Sequence, residues 1–131
     1  MSRTEYIAGV CNIGPAEIAL RRGYGWGGLA VTVVSLALLV LLRPDTVWWF
    51  VVLIPSGVSA CGFIQARKGF CAAFGLRHLF NFSGVVGEAE GVVARELWAA
   101  DRNMALRILA MSLGVGLVVT GAALLLRFGL Q

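Results

Sequence analysis

Residues 23–42 read GYGWGGLAVTVVSLALLVLL, a run of twenty residues without a charged side chain. Because an α-helix rises about 1.5 Å per residue, a run of this length crosses the roughly 30 Å hydrocarbon core of a bilayer. Two more uncharged runs of similar length follow at residues 46–66 and 108–126. We therefore predict an all-α membrane protein with three transmembrane helices.

The composition of the whole chain fits a lipid environment. Of its 131 residues, 59% are hydrophobic and 14% are charged, whereas soluble domains average about 45–50% apolar and about 25% charged residues. A soluble domain of this size buries only part of its apolar surface. Three long apolar runs leave too little polar sequence to cover them, which argues against a water-soluble helical core.

The basic residues are divided unequally between the two ends of the predicted helices. Nine of the eleven Lys and Arg residues precede the first run or lie between the second and third: Arg3, Arg21, Arg22, Arg67, Lys68, Arg77, Arg95, Arg102 and Arg107. Only Arg43 and Arg127 lie at the other end. Cytoplasmic loops carry an excess of Lys and Arg. We therefore predict a multi-pass plasma (inner) membrane protein with a cytoplasmic N-terminus, and no nucleic-acid partner.

The predicted organisation is a single membrane domain over residues 1–131. Gly14-Pro15 is typical of a helix start, because proline fits the first helical position. We predict a short interfacial helix there, lying along the membrane surface before the first span. The other elements are transmembrane helices at about 23–42, 46–66 and 104–126, with a cytoplasmic helical segment at about 67–103.

Small residues recur at four-residue spacing in the predicted spans. Such pairs allow two helix backbones to approach closely in a membrane, where interfaces are enriched in small side chains. The resulting helix-packing candidates are Gly23, Gly27, Gly57, Ser112, Gly116 and Thr120.

The stretch after the second run combines aromatic and basic residues. At 100° per residue they share one side of a helix, so we predict that the second helix continues past the membrane. Its candidate binding residues for a partner or a lipid are Arg67, Phe70, Phe74, Arg77 and His78. The favoured interpretation places the rings in the interface and the arginines on lipid phosphates. Docking of a partner subunit and binding of a cofactor or other small ligand are the alternatives.

We find no arrangement typical of a catalytic or metal site. Cys71 and His78 are seven residues apart, which separates them by about 10 Å along a helix, too far for both to ligate one ion. No ionisable residue lies in the middle of a predicted span, which argues against a transporter. Cys11, Cys61 and Cys71 all lie near the predicted cytoplasmic leaflet, where thiols stay reduced. We predict no enzyme activity, no cofactor and no disulfide.

The segment Asn12-Ile13-Gly14-Pro15-Ala16-Glu17-Ile18-Ala19-Leu20-Arg21, followed by a predicted two-helix hairpin, resembles the YgaP-like inner-membrane domain family. Members carry Asn-x-Gly, an acidic residue three positions later and a basic residue four further on. Their hairpin ends in Gly-Phe near a cysteine, as Gly62-Phe63 and Cys61 do here. The resemblance covers residues 11–75 and implies a hairpin that packs and anchors. The chain departs from the family in the position of that cysteine, its longer cytoplasmic extension and its third helix.

These features predict a small structural or accessory subunit of a multi-subunit membrane complex, of the respiratory or photosynthetic kind. It would act through helix packing and an inner-leaflet platform. Its expected partners are membrane lipids and other membrane subunits, or further copies of the chain. A homo-oligomeric carrier of a small solute or ion is the alternative, and binding of a quinone or pigment comes third.

Overall fold

A computed structural model describes residues 5–131, of which the larger part is helical. Three helical stretches are long and apolar enough to cross a membrane. The prediction of a multi-pass membrane protein with three spans is therefore confirmed. The elements are α1 (Pro15–Leu42), a 3-10 helix (Thr46–Val52), α2 (Leu53–Lys68), α3 (Ala72–Arg77), β1 (Leu79–Phe80), β2 (Glu90–Gly91), a 3-10 turn (Arg95–Leu97) and α4 (Trp98–Gly129).

Helix α1 begins at Pro15 and continues to Leu42 without interruption. The separate interfacial helix predicted before residue 23 is therefore wrong. Nothing between Arg22 and Gly23 ends a helix, because neither a proline nor a left-handed backbone conformation occurs there. The helix ends at Arg43, which has φ 47° and whose backbone N–H donates to the Leu39 carbonyl. Pro44 follows, and proline commonly follows a helix end because it does not continue the helix.

Helices α1 and α2 are in direct backbone contact. A Cβ atom added to Gly62 would lie 2.4 Å from the Gly25 nitrogen, and one added to Gly28 would lie 2.7 Å from the Ser59 nitrogen. The Ser59 hydroxyl donates to the Gly25 carbonyl at 2.8 Å. Only glycine allows two helices to approach this closely. Gly25, Gly28 and Gly62 are therefore the residues that set the α1–α2 distance.

Helix α4 packs against α2 through small residues. Ser112, Gly116 and Thr120 are all buried, and a Cβ on Gly116 would lie 3.1 Å from the Leu53 carbonyl oxygen. The Ser112 and Thr120 hydroxyls donate to the carbonyls four residues earlier in the same helix. Such bonds satisfy a hydroxyl within its own helix, so these side chains can be buried without a partner on another helix.

Helix α2 does not continue past the membrane, which corrects the predicted helical extension. It ends at Lys68, because Gly69 adopts a left-handed conformation with φ 65°. The segment between α2 and α4 contains only the six-residue α3, the two-residue strands β1 and β2, which pair antiparallel, and turns. The expectation that the second helix continues past residue 67 as an aromatic and basic helix is therefore wrong, and two short strands are added to a mostly helical fold.

Candidate functional site

The segments outside the long helices form a polar cap, defined here as residues 5–14 and 69–97. Asn12 is fully buried at its centre. Its Oδ1 accepts from the Cys71 backbone N–H at 2.7 Å, and its Nδ2 donates to the Cys71 carbonyl at 3.1 Å. Its own carbonyl accepts from the Asn81 N–H at 2.8 Å, and its N–H donates to the Gly69 carbonyl. One side chain and its backbone thus join three segments.

Glu17 is the second buried polar group of this region, with 2% of its surface exposed. Its Oε1 accepts from Asn81 Nδ2 at 3.0 Å and from the Gly87 N–H at 2.7 Å, while its Oε2 pairs with Arg21 at 3.3 Å. It lies in the first turn of α1, where the helix dipole favours a negative charge. The carboxylate therefore attaches the loop before β2 to the start of α1.

Arg21 connects Glu17 to the turn that follows α2. Its Nη2 also donates to the Cys71 sulfur at 3.1 Å, and its guanidinium lies 6.0 Å from the centre of the Phe74 ring. Phe74 is half-buried under it. The three cysteines, Cys11, Cys61 and Cys71, are free thiols.

The residues that carry the sequence resemblance come together where the start of α1 meets this polar cap. Asn12, Glu17 and Arg21 make the bonds described above, and the Gly14 N–H donates to the Asn81 carbonyl at 2.9 Å. The spacing of these residues therefore allows them to bond to one another, to Cys71 or to Asn81 in this chain. Asn81, which bonds to three of them, lies about 60 residues further on, and no pattern in the sequence pointed to it.

Asp101 is a buried carboxylate that the sequence reasoning did not identify. It is fully buried in α4, and it accepts from the Gly9 N–H at 2.8 Å and from the Tyr6 hydroxyl. Burial, then the hydrogen bond to Asp101 and its charge, raises the pKa of the Tyr6 phenol far above its ordinary value. The phenol therefore stays protonated and attaches the N-terminal segment to α4.

His78 lies against α4 rather than on an outer helical face. Its ring is stacked on Trp98 with centroids 4.2 Å apart and an interplanar angle of 5°. Its backbone is left-handed, with φ 58°, and its carbonyl accepts from the Val92 N–H. Within residues 5–131, its Nδ1 atom is buried and has no hydrogen-bond partner.

The five predicted binding residues do not share one surface, which corrects the predicted stripe. Phe70 is fully buried with Ala72, Ala105 and Ile108. Arg67 and Arg77 are exposed, but the left-handed turn at Gly69 separates them. The prediction failed because it extended helical spacing across a residue that ends the helix.

The packing candidates of α1 face away from the rest of the chain. Gly23 and Gly27 are exposed, and a Cβ on either would meet nothing within 4 Å. Their predicted approach to another helix therefore does not occur within the described residues. Gly57 lies at the α2–α4 contact, where a Cβ would be 3.8 Å from the Ser112 carbonyl oxygen.

A groove opens where the N-terminal segment, the start of α1 and the end of α2 meet. It has a volume of about 740 Å³. Apolar side chains such as Ile13 and Ile18 form part of its wall, and its charged lining consists of Arg22, Arg67 and Lys68. Of the five predicted binding residues, only Arg67 lines this groove.

No group of three or more His, Cys, Asp or Glu side chains within residues 5–131 could hold a metal ion. No protein-family model matches the chain, and the comparisons with curated proteins and with solved structures give no match. The resemblance to the YgaP-like family therefore stays a prediction.

Proposed function

We propose that the protein is a small structural subunit that packs against another membrane helix through the outer face of α1. This outer face is defined by Gly23, Gly27, Ala30 and Val34. These residues lie within about 60° of one another on a helical projection, and all four are exposed. The partner helix belongs either to a different subunit or to a second copy of the chain.

The observation that carries this proposal is the open space beside Gly23 and Gly27. Lipid tails are as apolar as leucine, so helices in a membrane associate through close packing rather than through the hydrophobic effect. Such close packing occurs within this chain at Gly25 and Gly28, on the opposite side of α1, where α1 contacts α2. The outer face offers the same small-residue surface and has no partner within residues 5–131.

We further place the N-terminus and the polar cap on the cytoplasmic side of an inner membrane. The start of α1, the end of α2 and the start of α4 lie at one end of the bundle, and eight of the ten Lys and Arg residues within residues 5–131 belong to that end. Arg43 and Arg127 lie at the other end. The positive-inside rule supports this orientation. An impermeant thiol reagent should label a cysteine introduced at Gln131, and not one at Ser2, in intact cells.

The packing proposal is tested by Gly27→Leu. Because a side chain at this position meets open space, the fold of the single chain should be unchanged. The larger side chain would hold the partner helix away, so we expect the assembled fraction on native gels of mild-detergent extracts to fall about tenfold. Differently tagged copies in one cell will show whether the partner is a second copy.

The matched control is Gly121→Leu. Gly121 is an exposed glycine of α4, and a Cβ there also meets nothing within 4 Å. This variant should assemble as the unaltered chain does. Unchanged assembly of Gly27→Leu, or equal loss in both variants, would overturn the assignment of the interface to α1.

A further inference from the structure

We propose that the groove beside the start of α1 binds the headgroup of an anionic phospholipid, independently of the packing surface on α1. The groove has two kinds of lining. Arg22, Arg67 and Lys68 supply positive charge, while Ile18 and Met104 supply apolar surface. A phospholipid has the matching division between a charged phosphate and apolar chains.

The three cations of the groove are free to meet an anion. In the described part of the chain, the single ion pair joins Arg21 to Glu17, and Arg22, Arg67 and Lys68 are exposed. Among residues 5–131, no acidic side chain lines the groove. Glu17 is occupied by Arg21 and Asn81, and Asp101 by Tyr6 and Gly9. The local charge is therefore positive and uncompensated.

The groove lies at the membrane depth of the lipid phosphate groups. Arg22 directly precedes the uncharged run at residues 23–42, and Arg67 directly follows the uncharged run at residues 46–66. The three cations thus lie where the hydrocarbon core gives way to headgroups. Basic pockets between transmembrane helices at this depth suit anionic headgroups, and each nearby Lys or Arg strengthens the attraction.

The turn at Gly69 keeps this site open. Its left-handed conformation, φ 65°, ends α2 directly after Lys68 and directs Phe70 into the core. The chain after Gly69 bonds to Gln65 on another side of α2 and leaves the Arg67 and Lys68 side chains exposed. A cavity of about 740 Å³ remains, which is within the range of about 300–1,000 Å³ typical of small-molecule sites.

The test compares two triple variants that lose the same charge. The groove variant carries Arg22→Gln, Arg67→Gln and Lys68→Gln. The control carries Arg77→Gln, Arg102→Gln and Arg107→Gln, which are exposed basic residues that do not line the groove. Arg107 directly precedes the third uncharged run, so the control includes a cation at membrane depth.

Each full-length protein is purified in detergent with an equimolar mixture of phosphatidylglycerol and phosphatidylcholine, and retained lipid is counted by native mass spectrometry. We expect the unaltered chain and the control to retain phosphatidylglycerol preferentially, and the groove variant to retain at least about tenfold less. Millimolar inorganic phosphate should not displace the lipid, because the apolar wall holds only an amphiphile.

Two results would overturn the proposal. Equal retention by the groove variant and the control would mean that the charge acts without a defined site. Displacement by inorganic phosphate alone would mean that the groove recognises a free anion rather than a lipid. Circular dichroism of both variants checks that the helices are intact, which is expected because all six side chains are exposed.

Discussion

Where Gly62 of α2 meets Gly25 of α1, two backbones are in contact with no side chain between them. In the polar cap, by contrast, the segments are joined by side chains, and Asn12 alone bonds to Gly69 and Cys71 in the turn after α2 and to Asn81 after β1. The α1–α2 contact requires that its glycines carry no side chain, whereas the polar cap requires that its buried polar groups are hydrogen-bonded. A single added methyl group should therefore damage the first, whereas a single deleted amide should damage the second.

The largest effect is expected from Gly62→Ala. Its methyl group would lie 2.4 Å from the Gly25 nitrogen and 2.6 Å from the Arg21 carbonyl oxygen, both backbone atoms that have no freedom to rotate away. Overpacking of this kind costs about 1–3 kcal/mol and occasionally more, and we expect the upper end. Thermal unfolding in detergent, followed by circular dichroism, measures the loss.

Gly121→Ala is the control for that variant. The same methyl group meets open space at residue 121, which lies outside the proposed packing face, and alanine favours a helix over glycine by about 1 kcal/mol or less. Its stability should be equal to or slightly above that of the unaltered chain. Similar destabilisation of the two alanine variants would contradict the close α1–α2 contact.

A smaller and more local effect is expected from Asn12→Ala. The change leaves the buried N–H of Cys71 without a partner, whereas the Cys71 carbonyl still accepts from the Gly75 N–H. An unsatisfied buried group costs about 1–3 kcal/mol. Hydrogen exchange should speed up at the Cys71 amide while the amides of α1 and α2 in the membrane stay protected. Asn103→Ala, at an exposed position, should change neither. Uniformly faster hydrogen exchange along the whole chain would show that the polar cap and the α1–α2 contact do not open independently.

The smallest effect is expected from Tyr6→Phe, which removes one hydrogen bond to Asp101, worth about 1 kcal/mol. The pKa of Tyr6 is raised in the folded state. Its contribution to stability is therefore complete below the ordinary tyrosine pKa of about 10 and declines as the pH rises above that value. Limited proteolysis of the N-terminal segment should show this alkaline loss in the unaltered chain and not in the variant. An identical pH profile in both would exclude Tyr6 as its cause.

The membrane spans could be predicted from the sequence because hydrocarbon excludes charge, so each span is an uncharged run. The Glu17–Arg21 pair was not predicted, although residues four apart share a helical face. The sequence did not show which face of α1 packs against α2. Gly23, Gly25, Gly27 and Gly28 are all glycines, and only the position of α2 decides which of them are buried.

The cap escaped prediction for a related reason. Its bonds join residues far apart in sequence, such as Asn81 to Glu17 and Asp101 to Tyr6, and no local spacing encodes such partners. Gly69 resembles the other glycines of the chain until its left-handed φ is known. The predicted aromatic and basic stripe failed at that single residue, and the basic groove became visible only with the turn in place.

The bond from Tyr6 to Asp101 spans 95 residues of sequence, and this separation has a consequence for biogenesis. The ribosome produces Tyr6 well before its acceptor, which emerges only with the start of α4. Asn12 can bond to Gly69 and Cys71 earlier, but Tyr6 and Gly9 stay unattached until Asp101 has been made. Their attachment therefore reports that the chain has been synthesised at least as far as Asp101. A chain stopped before that point would present the residues around Tyr6 to the proteases that remove unfinished proteins.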